Sequence, residues 1–207
     1  MKKLEEIKIL FENRSYSVRS DFINDYDFND DYYEYYHQFL LNAESIKDRF
    51  YLSDLIDLTG WLDIYDMKIM ERYYSYLFSQ NHYLIKLAVL DYFKYCNKDL
   101  PFPSYEKDLN AILQERLPSI LRCQVLINLL ILDTKDAPQY IKSLISLLEH
   151  NNDWKVIHRL LNNLKEVQLR LEYSSCICKE LVKKSQIVEL GASTKSLPID
   201  VCKNIHE

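Results

Sequence analysis

One apolar pattern recurs along the chain at nearly constant spacing. Val89, Leu90 and Phe93 align with Val125, Leu126 and Leu129, 36 residues later, and these align with Leu160, Leu161 and Leu164 after a further 35. Within each set the residues fall on one face of a helix. A helix pair of this length cannot bury its apolar face alone, so successive pairs must stack to complete a core. Lys86 and Arg122 share one repeat position, and Asn128 and Asn163 share another. Only 2 glycines and 5 prolines occur in 207 residues, as expected for helices joined by short connections. Scarce glycine also disfavours sites where backbone must approach a phosphate closely. The expected class is all-α, with antiparallel helix pairs stacked as a short α-solenoid and an irregular helical bundle as the alternative.

Individual helices can be placed from periodicity and end signals. Residues 53–65 and 66–79 form an early pair, in which Gly60 weakens the first helix. Asn81 caps the next helix, whose apolar face includes Leu84, Leu87, Ala88 and Leu90. Further helices start at Ser104, at Pro118-Ser119, at Asp136 with Pro138 in the first turn, and at Asn151 to Asp153; a last one covers residues 171–184. The Pro118 helix is apolar almost all round and so needs cover on several sides. N-terminal to these, residues 31–45 read as a helix with Tyr32, Tyr35, Tyr36, Phe39 and Leu40 on one face. The chain is expected to be a single all-α domain, 1–207. It comprises an acidic, tyrosine-rich part over 1–50, repeats over 53–184 and a partly irregular segment over 186–207.

The stretch from Asn81 through Lys86 and Ala88 to Leu90 resembles the second helix of a HEAT-type repeat, where a polar cap precedes an apolar residue, a basic residue, then alanine and leucine. The resemblance covers about residues 53–184 and degenerates along the chain: Asn152 keeps the cap, but Ile157 stands where the basic residue belongs. It implies a HEAT-like solenoid. Many of the 17 tyrosines, most of Tyr73, Tyr74, Tyr92 and Tyr95 among them, are expected in the repeat core.

Known chemistries find little support. The N-terminus, broken by Glu5 and Glu6, is not a convincing signal peptide. The longest apolar run, Val125 to Leu132, is too short to span a bilayer, so no membrane role and a cytoplasmic location are expected. Five scattered cysteines, with Cys176 and Cys178 the one close pair, fit reduced structural thiols better than a metal or redox site. His37, His82, His150, His158 and His206 form no ligand cluster, and Glu34 with His37 has no second Glu-x-x-His to complete a di-iron site. Phosphate-binding, dinucleotide and nucleophile-elbow motifs are absent. No catalytic residue, cofactor or metal is expected, and the chain reads as a non-enzyme.

The strongest functional signal is NDYDFNDDYYEYYHQF, residues 24–39, with five acids, seven aromatic residues and no lysine or arginine. Asp25, Asp27 and Asn29 mimic the start of a calcium loop, but Asp30 stands where the turn needs glycine and Tyr36 where a bidentate glutamate belongs. Residues 1–66 hold fifteen acids against seven bases, a net charge of −8, while the remainder carries +3. A basic partner would be steered to the N-terminal part. The candidate partner-binding residues are Asp25, Asp27, Asp30, Asp31, Tyr32, Tyr33, Glu34 and Tyr36. Consecutive tyrosines cannot all point inward from one helix, and an exposed tyrosine is a good interface anchor.

In general character, small, acidic, helical and rich in residues with AT-rich codons, the chain is similar to the helical immunity proteins of bacterial contact-dependent growth-inhibition systems. That resemblance implies a protein partner, a basic and nuclease-type toxin domain. The alternatives are a generic helical-repeat adaptor or scaffold and a HEAT-like DNA glycosylase. Lys155, Arg159, Lys165, Arg170, Lys179, Lys183 and Lys184 make the C-terminal helices basic, but Asp153, Glu166, Glu172 and Glu180 interleave with them. Nucleic acid is therefore not the expected partner.

Overall fold

A computed structural model of the protein describes residues 37, 38, 40, 41, 48–61, 63–79, 82–96, 100–151, 153–166 and 169–187. Among them lie eight helices: α1 (Arg49–Trp61), α2 (Met67–Ser79), α3 (Tyr83–Cys96), α4 (Tyr105–Leu113), α5 (Ser119–Leu132), α6 (Ala137–His150), α7 (Trp154–Glu166) and α8 (Leu171–Ile187). The all-α class is as expected, with no strand among the described residues. The chain divides into two compact units, Met1–Tyr92 and Phe93–Glu207.

In the first unit, α1 begins four residues before the expected 53. The Asp48 carboxylate explains the early start, accepting the backbone N–H groups of Phe50 and Tyr51 at 3.0 Å each. The helix ends where Asp63 adopts a left-handed φ of 51°. There Asp63 N–H bonds the Gly60 carbonyl and Ile64 N–H the Thr59 carbonyl, both at 3.1 Å, the double return of a Schellman cap. Asp66 caps α2 in turn through the N–H groups of Lys68 and Ile69. Burial alone would raise the Asp66 pKa, but those two N–H groups and His37 together hold it below the usual carboxylate range.

Tyrosines knit this unit's core. Thr59 donates its hydroxyl to the Leu55 carbonyl at 2.7 Å, so the 2.7 Å contact between Tyr73 and Thr59 has Tyr73 as donor. Burial pushes the Tyr73 phenol well above its ordinary range. Tyr92 donates to the Ile64 carbonyl at 2.7 Å and meets Tyr73 edge-to-face at 5.3 Å. Gly60 lies within α1, and an added Cβ would meet Tyr92 at 3.7 Å, ordinary van der Waals contact. Gly60→Ala should therefore raise stability by about 0.5–1 kcal/mol. Denaturant titration checks this; a loss of stability would show that the space against Tyr92 is too tight.

In the second unit, α5 is the hub. It packs against α4, α6 and α7, while α8 packs on α6. The pair α5–α6 thus lies against the pair α7–α8, α5 on α7 and α6 on α8. This cover explains how α5 buries ten consecutive or near-consecutive residues, Leu121 and Cys123 to Ile131. The α6 stripe is narrower, with Ala137, Tyr140, Leu144 and Leu148 inward. Arg122, at the basic repeat position, turns its guanidinium onto the Leu113 and Glu115 carbonyls at 3.2 Å each, closing the end of α4. Ile157, which breaks the basic pattern, is buried instead.

Several expected end signals act differently. Ser104 and Asp136 occupy N-cap positions but make no side-chain cap bond. Both have helical backbone angles, whereas a capping side chain reaches the first-turn N–H from extended backbone. Asp153 does cap α7, accepting Lys155 N–H at 3.0 Å. Asn81 and Asn152, expected as caps, lie outside the described residues, as does most of the expected 186–207 segment. Among the described cysteines, Cys96, Cys123 and Cys176 are free thiols. Cys178, however, is disulfide-bonded, so the expectation of wholly reduced cysteines fails there.

Candidate partner surface

The eight candidate partner-binding residues, Asp25, Asp27, Asp30, Asp31, Tyr32, Tyr33, Glu34 and Tyr36, lie outside the described residues. Of the helix expected over 31–45, the residues His37, Gln38, Leu40 and Leu41 are described and helical. Leu40 is buried, as its place on the aromatic face requires. His37 Nε2 stands 3.4 Å from Asp66 Oδ2, and Arg72 sends Nη1 to the Leu40 carbonyl at 2.8 Å and Nη2 to the Leu41 carbonyl at 2.9 Å. The end of the tyrosine-rich segment is thereby fastened to α2.

Helix α2 carries two stripes. Ile69, Met70, Tyr73 and Leu77 face the core. On the flank, roughly a third of a turn round the helix, Met67, Glu71, Tyr74 and Phe78 recur at i, i+4, i+7 and i+11, so they form a second ridge along the full helix. Met67 is 49% exposed and Phe78 50%. Tyr74 is half-buried and meets Phe78 edge-to-face at 5.7 Å. A further aromatic group joins the starts of α1 and α3: Phe50 lies 6.4 Å from the His82 ring, which stacks on Tyr83 at 5.2 Å, and the Arg49 guanidinium sits 5.1 Å over Phe50. The sequence reading missed both groups. For α2 the signal was present, since 67, 71, 74 and 78 keep helical spacing beside the core stripe. Of the tyrosines assigned mostly to the core, Tyr73 and Tyr92 are buried, but Tyr95 is exposed.

Polar groups inside the second unit are engaged with one another. Gln124, Asn128 and Asn163 are buried between α5 and α7. Gln124 Nε2 donates to Asn128 Oδ1 at 2.9 Å and, at a longer 3.4 Å, to Asn163 Oδ1; Asn163 Nδ2 returns a bond to Gln124 Oε1 at 3.0 Å. Asn128 Nδ2 reaches the Tyr105 hydroxyl on α4 at 2.9 Å. At another edge, Glu106 accepts the hydroxyls of Thr134 at 2.6 Å and Tyr140 at 3.2 Å. Burial raises the Tyr140 pKa, and Glu106 adds to the rise. These groups pin helices to one another.

Among the described residues no three His, Cys, Asp or Glu side chains stand close enough to hold a metal ion. No described helix is long and apolar enough to cross a membrane. No protein-family model, curated protein or solved structure matches the chain.

Proposed function

We propose that the protein is a non-catalytic binding module, an immunity protein that engages and neutralises a basic, nuclease-type toxin domain. The observation that carries this reading is the second ridge of α2. Met67, Tyr74 and Phe78 present apolar and aromatic surface along a whole helix, and Glu71 sets a carboxylate among them. Exposed aromatic groups of this kind are the usual anchors of protein interfaces. The unit that bears the ridge, Met1–Tyr92, holds seventeen acids against ten bases, a net charge of −7. Complementary charge accelerates the capture of a basic partner, and the aromatic anchors then slow its release.

The test divides these roles. Tagged protein should retain a basic toxin domain from cells that encode both, and the purified pair then gives association and dissociation rates. Asp30→Lys with Asp31→Lys should slow association by roughly tenfold at low salt and flatten its salt dependence. Phe78→Ala should instead speed dissociation. Recovery of a partner that is not basic would favour a general helical-repeat adaptor, and unchanged association in the charge-reversed protein would sink the steering argument.

A further inference from the structure

Helix α8 carries two cysteines two positions apart, and their chemical states differ. Cys176 is exposed and a free thiol, whereas Cys178 is 3% exposed and disulfide-bonded. Helix geometry accounts for the difference. Residues i and i+2 point to roughly opposite sides of a helix, so these two sulfur atoms do not meet while α8 is folded. Ser174, Ile177, Cys178 and Leu181 share the buried face, and Cys176 stands across from them.

The bond therefore leaves the helix, and the chain offers it one destination. Cysteines stand at 96, 123, 176, 178 and 202. Cys96, Cys123 and Cys176 are free thiols. Within a single chain this leaves Cys202, which lies outside the described residues, to pair with Cys178. We infer that Cys178 and Cys202 form a redox-responsive clasp, a covalent tie between α8 and the last residues of the chain.

Closing the clasp converts two thiols into one disulfide. The two electrons and two protons pass to a small disulfide such as oxidised glutathione, which leaves as two thiol molecules. The bond closes a ring of 25 residues, counted from Cys178 to Cys202. A ring of this size restricts the unfolded chain far more than the folded one, and so lowers the unfolding equilibrium constant by roughly a hundredfold. Reduction reverses the gain. Access governs how fast a disulfide opens, and the Cys178 sulfur, held in the buried face of α8, is a poor target for a bulky reductant. The inference is independent of the toxin reading.

The full-length protein is equilibrated with oxidised glutathione, unfolded in the presence of iodoacetamide and digested with trypsin without reductant. Cleavage after Arg170, Lys179, Lys195 and Lys203 releases residues 171–179 and 196–203. Mass spectrometry should find them as one linked species, with Cys176 outside the link. An alkylated Cys178, a link through Cys176, or a link to a second chain overturns the inference. Denaturant titration then measures the effect. The unfolding constant of Cys202→Ser should exceed that of the oxidised parent by roughly a hundredfold and match that of the reduced parent, while Cys176→Ser leaves it unchanged. Equal stability of the oxidised and reduced parent overturns the clasp even where the link is found.

Discussion

Gln124→Met should cost roughly 2–4 kcal/mol in denaturant unfolding, although it changes no volume to speak of and adds an apolar side chain to an apolar helix. Gln124 bonds both Asn128 and Asn163. Its removal strips two buried amides, 2% and 0% exposed, of these bonds. Domains of this kind have only about 5–15 kcal/mol of net stability, so the loss is a large fraction. The chemistry also predicts a rescue: Gln124→Met combined with Asn128→Leu and Asn163→Leu should recover most of the loss, because no amide then remains to satisfy. A single-variant loss under about 1 kcal/mol, or a triple variant worse than the single, would show that the amides contribute little as a network.

Arg72→Met should destabilise the first unit by about 2–3 kcal/mol. The guanidinium donates to two carbonyls, of Leu40 and Leu41, at 2.8 and 2.9 Å. Hydrogen bonds from a charged donor contribute about 1.5–3 kcal/mol each, and partial exposure places this pair towards the low end. Methionine keeps the apolar stem, so the loss reports the planar head group. Arg72→Lys should recover less than half, since one ammonium does not reproduce the fork. Amide exchange provides a local readout: protection at Leu40 and Leu41 should fall further than protection in α5. Equal losses in both places would point to general destabilisation, and an unchanged midpoint would refute the tether.

The helices were legible in sequence because apolar spacing and burial are the same fact seen twice. Val125, Leu126 and Leu129 recur as Leu160, Leu161 and Leu164, and α5 does pack on α7. Even the shared repeat position of Asn128 and Asn163 had meaning, since both amides meet the same Gln124. Gln124 itself was not legible, because an isolated glutamine in an apolar run carries no mark of which neighbour it will face. Helix ends were harder. Asp48 caps a helix expected to start at 53, whereas Ser104 and Asp136 sit at caps without bonding, a difference set by backbone angles that composition does not encode.

The surface was less legible still. Asp25 to Tyr36 drew attention because acids and tyrosines crowd together there, and density is visible in a sequence. The α2 ridge depends on which side of the helix is already taken. Met67 and Phe78 look like core residues until Ile69, Met70, Tyr73 and Leu77 claim the core side.

The placement of the thiols also sets the chemistry of modification. Burial drives the Cys96 pKa up to about 12, so at neutral pH its thiol stays protonated and poorly reactive. Cys123 is buried in α5, and Cys178 is already bonded. Of the described free thiols, exposed Cys176 is therefore the one an alkylating probe reaches first. A fluorophore attached there would sit on α8, the helix that packs on α6, as a built-in reporter that requires no engineered cysteine.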